Sequence, residues 1–108
     1  MPRSPHRYIL VKFLSDHPIS AEAAEQATRN SIEDLLGKLG AAETRARMIG
    51  FENGANRAVF RCDLKSVERL RAALALMTRV DGETVAVMTT RSSGTIKALN
   101  IRLPRHRR

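Results

Sequence analysis

The sequence predicts an α+β domain with the element order β-α-β-β-α-β and a short helix after it. Three observations predict it. Four short stretches are apolar or alternate in polarity, two longer ones carry apolar residues at three- and four-residue spacing, and a hairpin signal joins the two middle strands. A length of 108 residues leaves room for one domain, expected over residues 1–103, with a basic and disordered tail at 104–108.

The first strand is read from Arg7-Tyr8-Ile9-Leu10-Val11-Lys12-Phe13-Leu14, which is apolar at both alternating positions, as in a central strand covered at least partly on two sides. Ser15-Asp16-His17-Pro18 breaks it. Ser20 is placed to cap the first helix, with Glu22 in the first turn to complement the helix dipole. The apolar face of that helix is Ala24, Ala27, Thr28, Ile32, Leu35, Leu36 and Leu39, and Gly40 is expected to end it, with Gly37 weakening the last turn. Arg45 to Phe51 and Arg57 to Cys62 read as two strands joined by Asn53-Gly54-Ala55-Asn56. In the second of them Ala58, Phe60 and Cys62 share one face, and Arg57, Val59 and Arg61 the other.

Asp63 is expected to cap the second helix, whose stripe is Val67, Leu70, Leu74 and Met77. Asp81-Gly82 then turns the chain into a strand over Thr84 to Thr90. Ser92-Ser93-Gly94-Thr95 reads as the start of a third, short helix carrying Ile96, Leu99 and Leu103, stopped by Pro104. With right-handed crossovers this order gives a four-stranded antiparallel sheet with both main helices on one face, the ferredoxin-like arrangement shared by RNA-recognition (RRM-like) domains. The opposite sheet face is left to the third helix, a partner or RNA.

The charge of +8 comes from 19 Lys and Arg against 11 Asp and Glu, and it is unevenly placed. Residues 14–44 carry two basic and six acidic side chains, whereas residues 84–108 carry six basic and none acidic. Such a balance points to a polyanionic partner, nucleic acid ahead of an anionic membrane surface. No apolar run is long enough to span a bilayer. The basic N-terminus lacks a signal-peptide pattern, and the lone Cys62 suits a reducing cytoplasm, so a cytoplasmic protein with no membrane attachment is expected.

No side-chain set promises catalysis. His6, His17 and His106 lie in the N-terminal arm, a loop and the tail, and none stands beside a nucleophile. Glu33 and Asp34 are helix neighbours pointing about 100° apart, a poor carboxylate pair, and Cys62 reads as a small buried hydrophobe. Catalytic residues, a metal site and a bound cofactor are all expected to be absent.

Candidate RNA-binding residues fall in two groups. Arg45, Arg47, Arg57 and Arg61 form a cross-hairpin basic set able to track phosphates, the alternative being edge strands kept soluble by charge. Ser93, Gly94 and Thr95 combine hydroxyls, a glycine and a helix start, flanked by Arg91 and Lys97, with Arg102 further on. The alternative there is an ordinary helix cap with no ligand. Tyr8, Phe13, Phe51 and Phe60 are the only aromatics, and Arg57-Ala58-Val59-Phe60-Arg61-Cys62 lacks the aromatic-rich third-strand motif of an RNA-recognition domain. Backbone and shape contacts to folded RNA are therefore expected over base stacking.

Four segments, in order along the chain, resemble the archaeal ribonuclease P protein component 2 family: Arg7 to Val11; the helix Ser31 to Ala42; Arg61-Cys62 with Val67 and Leu70-Arg71-Ala72-Ala73-Leu74; and Ser93-Gly94-Thr95-Ile96-Lys97-Ala98-Leu99. The similarity runs from about residue 7 to 103. The resemblance implies an α/β sandwich and a subunit of the ribonucleoprotein endonuclease that removes the 5′ leader from precursor tRNA. It further implies that RNA performs the hydrolysis with Mg²⁺ held by the RNA, not by the protein. The implied partners are ribonuclease P RNA, precursor tRNA through the complex, the larger barrel-shaped component 3 and other protein subunits, with homodimerisation inside a heterotetramer as one arrangement. The competing reading is a small RNA- or ligand-binding module on the same scaffold with no role in tRNA processing.

Overall fold

A central strand covered on both sides organises residues 5–95, the part of the chain that the computed structural model describes. In chain order the elements are β1 (His6–Leu14), α1 (Ala21–Thr44), β2 (Arg47–Glu52), β3 (Arg57–Asp63), a 3-10 turn (Leu64–Ser66), α2 (Val67–Leu76), the two-residue strands β4 (Arg79–Val80) and β5 (Glu83–Thr84), and β6 (Ala86–Ser93). The main sheet has the order β2-β3-β1-β6 with every neighbouring pair antiparallel. This is the split βαβ order expected from the sequence. The third helix and the 104–108 tail lie outside the described residues.

Strand alternation divides β1 between two apolar clusters. Ile9, Val11 and Phe13 join Ala58, Phe60 and Cys62 of β3, Met48 and Phe51 of β2, and Ala24, Ile32, Leu70, Ala73 and Leu74 of the helices in the main core. On the other side, Leu10 and Val59 are buried with Tyr8 and Ile49 against them. The α2 stripe is placed as its spacing predicts, with Leu70 and Leu74 fully buried. The two helices are tied where Ser31 Oγ donates a 2.6 Å hydrogen bond to the Ala73 carbonyl.

The start of α1 follows its sequence signal: the Ser20 hydroxyl accepts from Ala23 N–H at 3.1 Å. Its end does not. Gly40 is not the cap; the helix breaks at Gly37 (φ 75°, ψ 170°) and resumes to Thr44, where Arg45 takes a left-handed conformation. Leu35, before the break, is 41 % exposed and Leu39, after it, 77 % exposed, so neither is core as its spacing predicts. Arg45 is consequently a cap and not the first residue of a strand. Asp63 makes no side-chain cap bond to the turn it precedes; its carboxylate lies 3.8 Å from Arg45 Nε.

Two further corrections concern the last strands. Asp81 and Gly82 both have positive φ, as a two-residue type I′ turn requires, but they close the small β4–β5 hairpin before β6 begins. Ser92 and Ser93 then continue β6 in register with Ile9 and Tyr8, so they are strand residues and not a helix start.

The end of the sheet carrying the β1–α1 loop is clamped by Asn56, which the sequence marks only as a turn residue. It is buried with φ 53°, its Oδ1 accepts from Ile19 N–H at 3.1 Å, and its Nδ2 donates to the His17 carbonyl at 3.2 Å. Its own carbonyl accepts from Phe13 N–H at 2.8 Å.

Candidate nucleic-acid interface

Both long helices pack on one face of the sheet, and the strand positions that alternate with the core make the other. Cross-strand register arranges that second face in rows. One row runs Arg47, Arg61, Tyr8, Ser93 from β2 to β6. The next is Val59, Leu10 and Arg91, with Ile49 of the β2 bulge packed against it. A third runs Glu52, Arg57, Lys12, Met88. The centre is thus apolar, and cations stand on both sides of it.

Those cations are not equivalent. Arg57 is committed inside the chain, its Nε donating to Glu52 Oε1 at 2.7 Å with Nη2 closing on the same oxygen. Arg47 and Arg61 are direct neighbours, and neither has an ion-pair partner among the described residues. Like charges set opposite each other on one sheet face repel. An anion placed between two such arginines would remove that cost.

Of the ten residues singled out in the sequence, the fold brings Arg47, Arg57, Arg61, Arg91 and Ser93 onto this one face. Arg45 stands outside β2 with its guanidinium beside Asp63. Gly94 and Thr95 follow β6 as bends, and the Ser93 hydroxyl already accepts from Thr95 N–H at 3.2 Å, so the local turn occupies it. Ser92 and Ser93 do not open a helix, because pairing with β1 draws them into the sheet; the rest of the expected helix lies outside the described residues. Lys97 and Arg102 lie outside the described residues. Lys12 and Tyr8 belong to the face although they were not among the ten. The signal was available in the alternation Tyr8, Leu10, Lys12 along β1.

The first helix, on the opposite side of the sheet, has the other sign. Helix α1 carries Glu22, Glu25, Glu33, Asp34 and Glu43 against Arg29 and Lys38. Cys62 sits in the core, where burial and then the Asp63 charge push its thiol up to about 11. A thiol so protonated is a poor nucleophile. Among the described residues no group of three His, Cys, Asp or Glu is gathered to hold a metal ion, and no helix is long and apolar enough to cross a membrane.

Fold and face together define a class: a small split βαβ domain whose first helix is acidic and whose sheet face away from the helices is basic around a buried apolar centre. The chain belongs to the Rpp14/Pop5 family, whose model matches residues 7–103. It is 34 % identical over 97 residues to ribonuclease P protein component 2 of Thermococcus gammatolerans, covering 90 % of this chain and 81 % of that one. It is 30 % identical over 95 residues to the protein of the same name from Methanosarcina mazei, covering 88 % and 80 %. A chain in the cryo-EM structure of yeast ribonuclease MRP shares the fold with a TM-score of 0.68 at 13 % identity, over 88 % of this chain and 78 % of that one.

Proposed function

We propose that this chain is a protein subunit of ribonuclease P, the ribonucleoprotein that removes the 5′ leader from precursor tRNA, and that its contribution is electrostatic. The family and the relatives named ribonuclease P protein component 2 support the subunit role. The observation that carries the electrostatic role is the Arg47–Arg61 pair, opposed across the β2–β3 ladder with no ion-pair partner among the described residues.

A catalytic RNA that folds compactly against an anionic substrate suffers phosphate–phosphate repulsion. Fixed arginines relieve it, release counterions and lower the Mg²⁺ the RNA needs. In this reading the RNA and its Mg²⁺ carry out hydrolysis, and the protein supplies cations at set positions without acting as acid, base or metal ligand. Component 3 and the other subunits are its protein partners within the particle.

The test is leader cleavage by ribonuclease P RNA with component 3, with and without this chain, across a Mg²⁺ titration. Addition of the chain is expected to shift the Mg²⁺ midpoint downward, and the variant R47A/R61A to lose most of that shift. A midpoint indifferent to the chain would overturn the reading. So would RNA-free protein that cleaves precursor tRNA and survives ribonuclease treatment.

A further inference from the structure

The sheet has two outer strands, and they are not equally guarded. β2 carries Arg47 and Glu52 at its ends and a bulge at Ile49. Charges and bulges of this kind keep a strand edge from pairing with another chain. β6 is bonded to β1 on one side and, among the described residues, to nothing on the other. Its bulge is at Thr90, and ahead of it Ala86–Thr89 is a regular stretch with no charge, proline or glycine. Ala86 and Met88 are exposed, Met88 by 49 %, so their side of the strand is not covered. We infer that the outer edge of β6 is a strand-addition site, taking an extended segment of a protein partner that brings a carboxylate to Arg71. This goes beyond the RNA contacts proposed above but rests on the chain's place among other protein subunits.

Arg71 supplies the second observation. The two helices lie side by side, α1 reaching β2 and α2 reaching β6 at the other end of the sheet order. Arg69 marks the flank of α2 turned toward α1, its Nη1 lying 3.8 Å from Glu43. Arg71 is two residues on, about 200° further round the axis, which turns it away from α1 and toward the β6 side. It is half-buried, and its Nε is shut off from solvent without a hydrogen-bond partner. Glu68, one turn earlier on α2, makes no ion pair with it. A donor so placed costs the fold free energy that an incoming acceptor restores.

The chemistry of the edge selects its occupant. A strand edge presents N–H and C=O groups in alternation, and an extended peptide matches both. A phosphodiester backbone offers mainly acceptors and leaves the carbonyls bare. A second copy joined edge to edge would set Arg71 against Arg71, and β6 adds Arg91 and no acid. An extended segment with an acidic side chain on the helix side and apolar ones beside Ala86 and Met88 satisfies all of these groups.

The test is residue-resolved amide hydrogen exchange over Ala86–Thr89 in the full chain. It is measured alone, with ribonuclease P RNA alone, and with component 3 and the other protein subunits without RNA. The amides of this stretch that do not bond to β1 are expected to exchange fast in the first two samples. In the third they should slow by at least about tenfold. R71M should weaken binding to those subunits about tenfold while leaving the urea midpoint unchanged, since Nε has no bond to lose. It should also leave the salt slope of RNA binding unchanged.

Slow exchange in the chain alone means that its own residues fill the edge, and the inference falls. Protection by RNA alone, or protection that grows with the chain's own concentration, gives the edge to RNA or to a second copy and overturns it likewise. A folded R71M that binds the subunits as tightly as the parent overturns the carboxylate contact. If the subunits bind the chain but leave these amides fast, strand addition is wrong and the subunit role stands. If they do not bind the chain at all, both readings fall together.

Discussion

Arg47 stands directly across the β2–β3 ladder from Arg61, with no carboxylate joining the pair. Sheet neighbours of like charge destabilise each other by a few tenths of a kcal/mol, so this pair is retained at a small cost to the isolated fold. R47A should leave the urea-unfolding free energy unchanged or raise it by up to about 0.5 kcal/mol. The same variant should make the salt dependence of RNA binding shallower by about one unit. Loss of stability with an unchanged slope would assign the arginine to the fold.

Glu52 offers the converse experiment. Its carboxylate holds Arg57, the third arginine of the face, in a half-exposed ion pair. E52Q removes the one acid from that row and releases Arg57, at a folding cost under about 1 kcal/mol, the usual range for such pairs. RNA binding measured at several salt concentrations should become tighter and its slope steeper.

Asn56 should be among the polar residues least tolerant of substitution. N56A leaves the Ile19 N–H without its side-chain acceptor and forces a left-handed backbone onto alanine. The expected loss is about 2–4 kcal/mol by denaturant titration, the sum of a missing buried hydrogen bond and conformational strain. N56G removes only the first contribution and should lie between N56A and the parent.

Gly37 breaks α1 at φ 75° and ψ 170°, a region that glycine alone occupies readily. Nothing lies within 4 Å of where a Cβ would stand, so G37A meets no clash and its penalty is purely backbone strain, about 1–3 kcal/mol. If the variant is as stable as the parent, the helix has straightened, and hydrogen exchange over Lys38–Thr44 would then differ from the parent.

Cys62 gives the fold a pH dependence at its alkaline edge. The folded thiol is raised from 9.0 to about 11, so the unfolded chain loses this proton first as pH rises. Stability is therefore flat in this group below pH 9 and declines between 9 and about 11. C62A should lack that part of the decline. The parent's thiol should react with a disulfide reagent at pH 8 only at the rate of unfolding, which stopped-flow mixing in denaturant would establish.

What the sequence made legible was whatever repeats locally. The alternation of β1 and β3, the stripe of α2 and the serine cap of α1 each need only neighbours within a turn or two, and all lie where expected. Readings failed where distant pairing outweighed a local signal. Ser92-Ser93-Gly94-Thr95 has the composition of a helix start, yet β1 offers Ser92 and Ser93 open hydrogen bonds and the strand continues. The β4–β5 hairpin has two residues a side, too few for any period to show. Asn56 binds residues 37 and 39 positions away, a relation no local pattern carries. The candidate interface was half legible for the same reason: alternation sorted Arg57 and Arg61 to one side, but only the register of four strands could set Arg47, Arg61, Tyr8 and Ser93 in one line.

The separation of charge across the sheet bears on how the protein arrives as well as how it binds. Among the described residues, carboxylates outnumber cations on α1, and Arg47, Arg57, Arg61, Arg91 and Lys12 stand on the far face, so charge is unequal across the sheet along an axis perpendicular to it. In the field of a polyanion that axis experiences a torque, turning the sheet face forward before any atom touches. Collisions in the wrong orientation are thereby made fewer, and the acidic α1 is turned away from the polyanion.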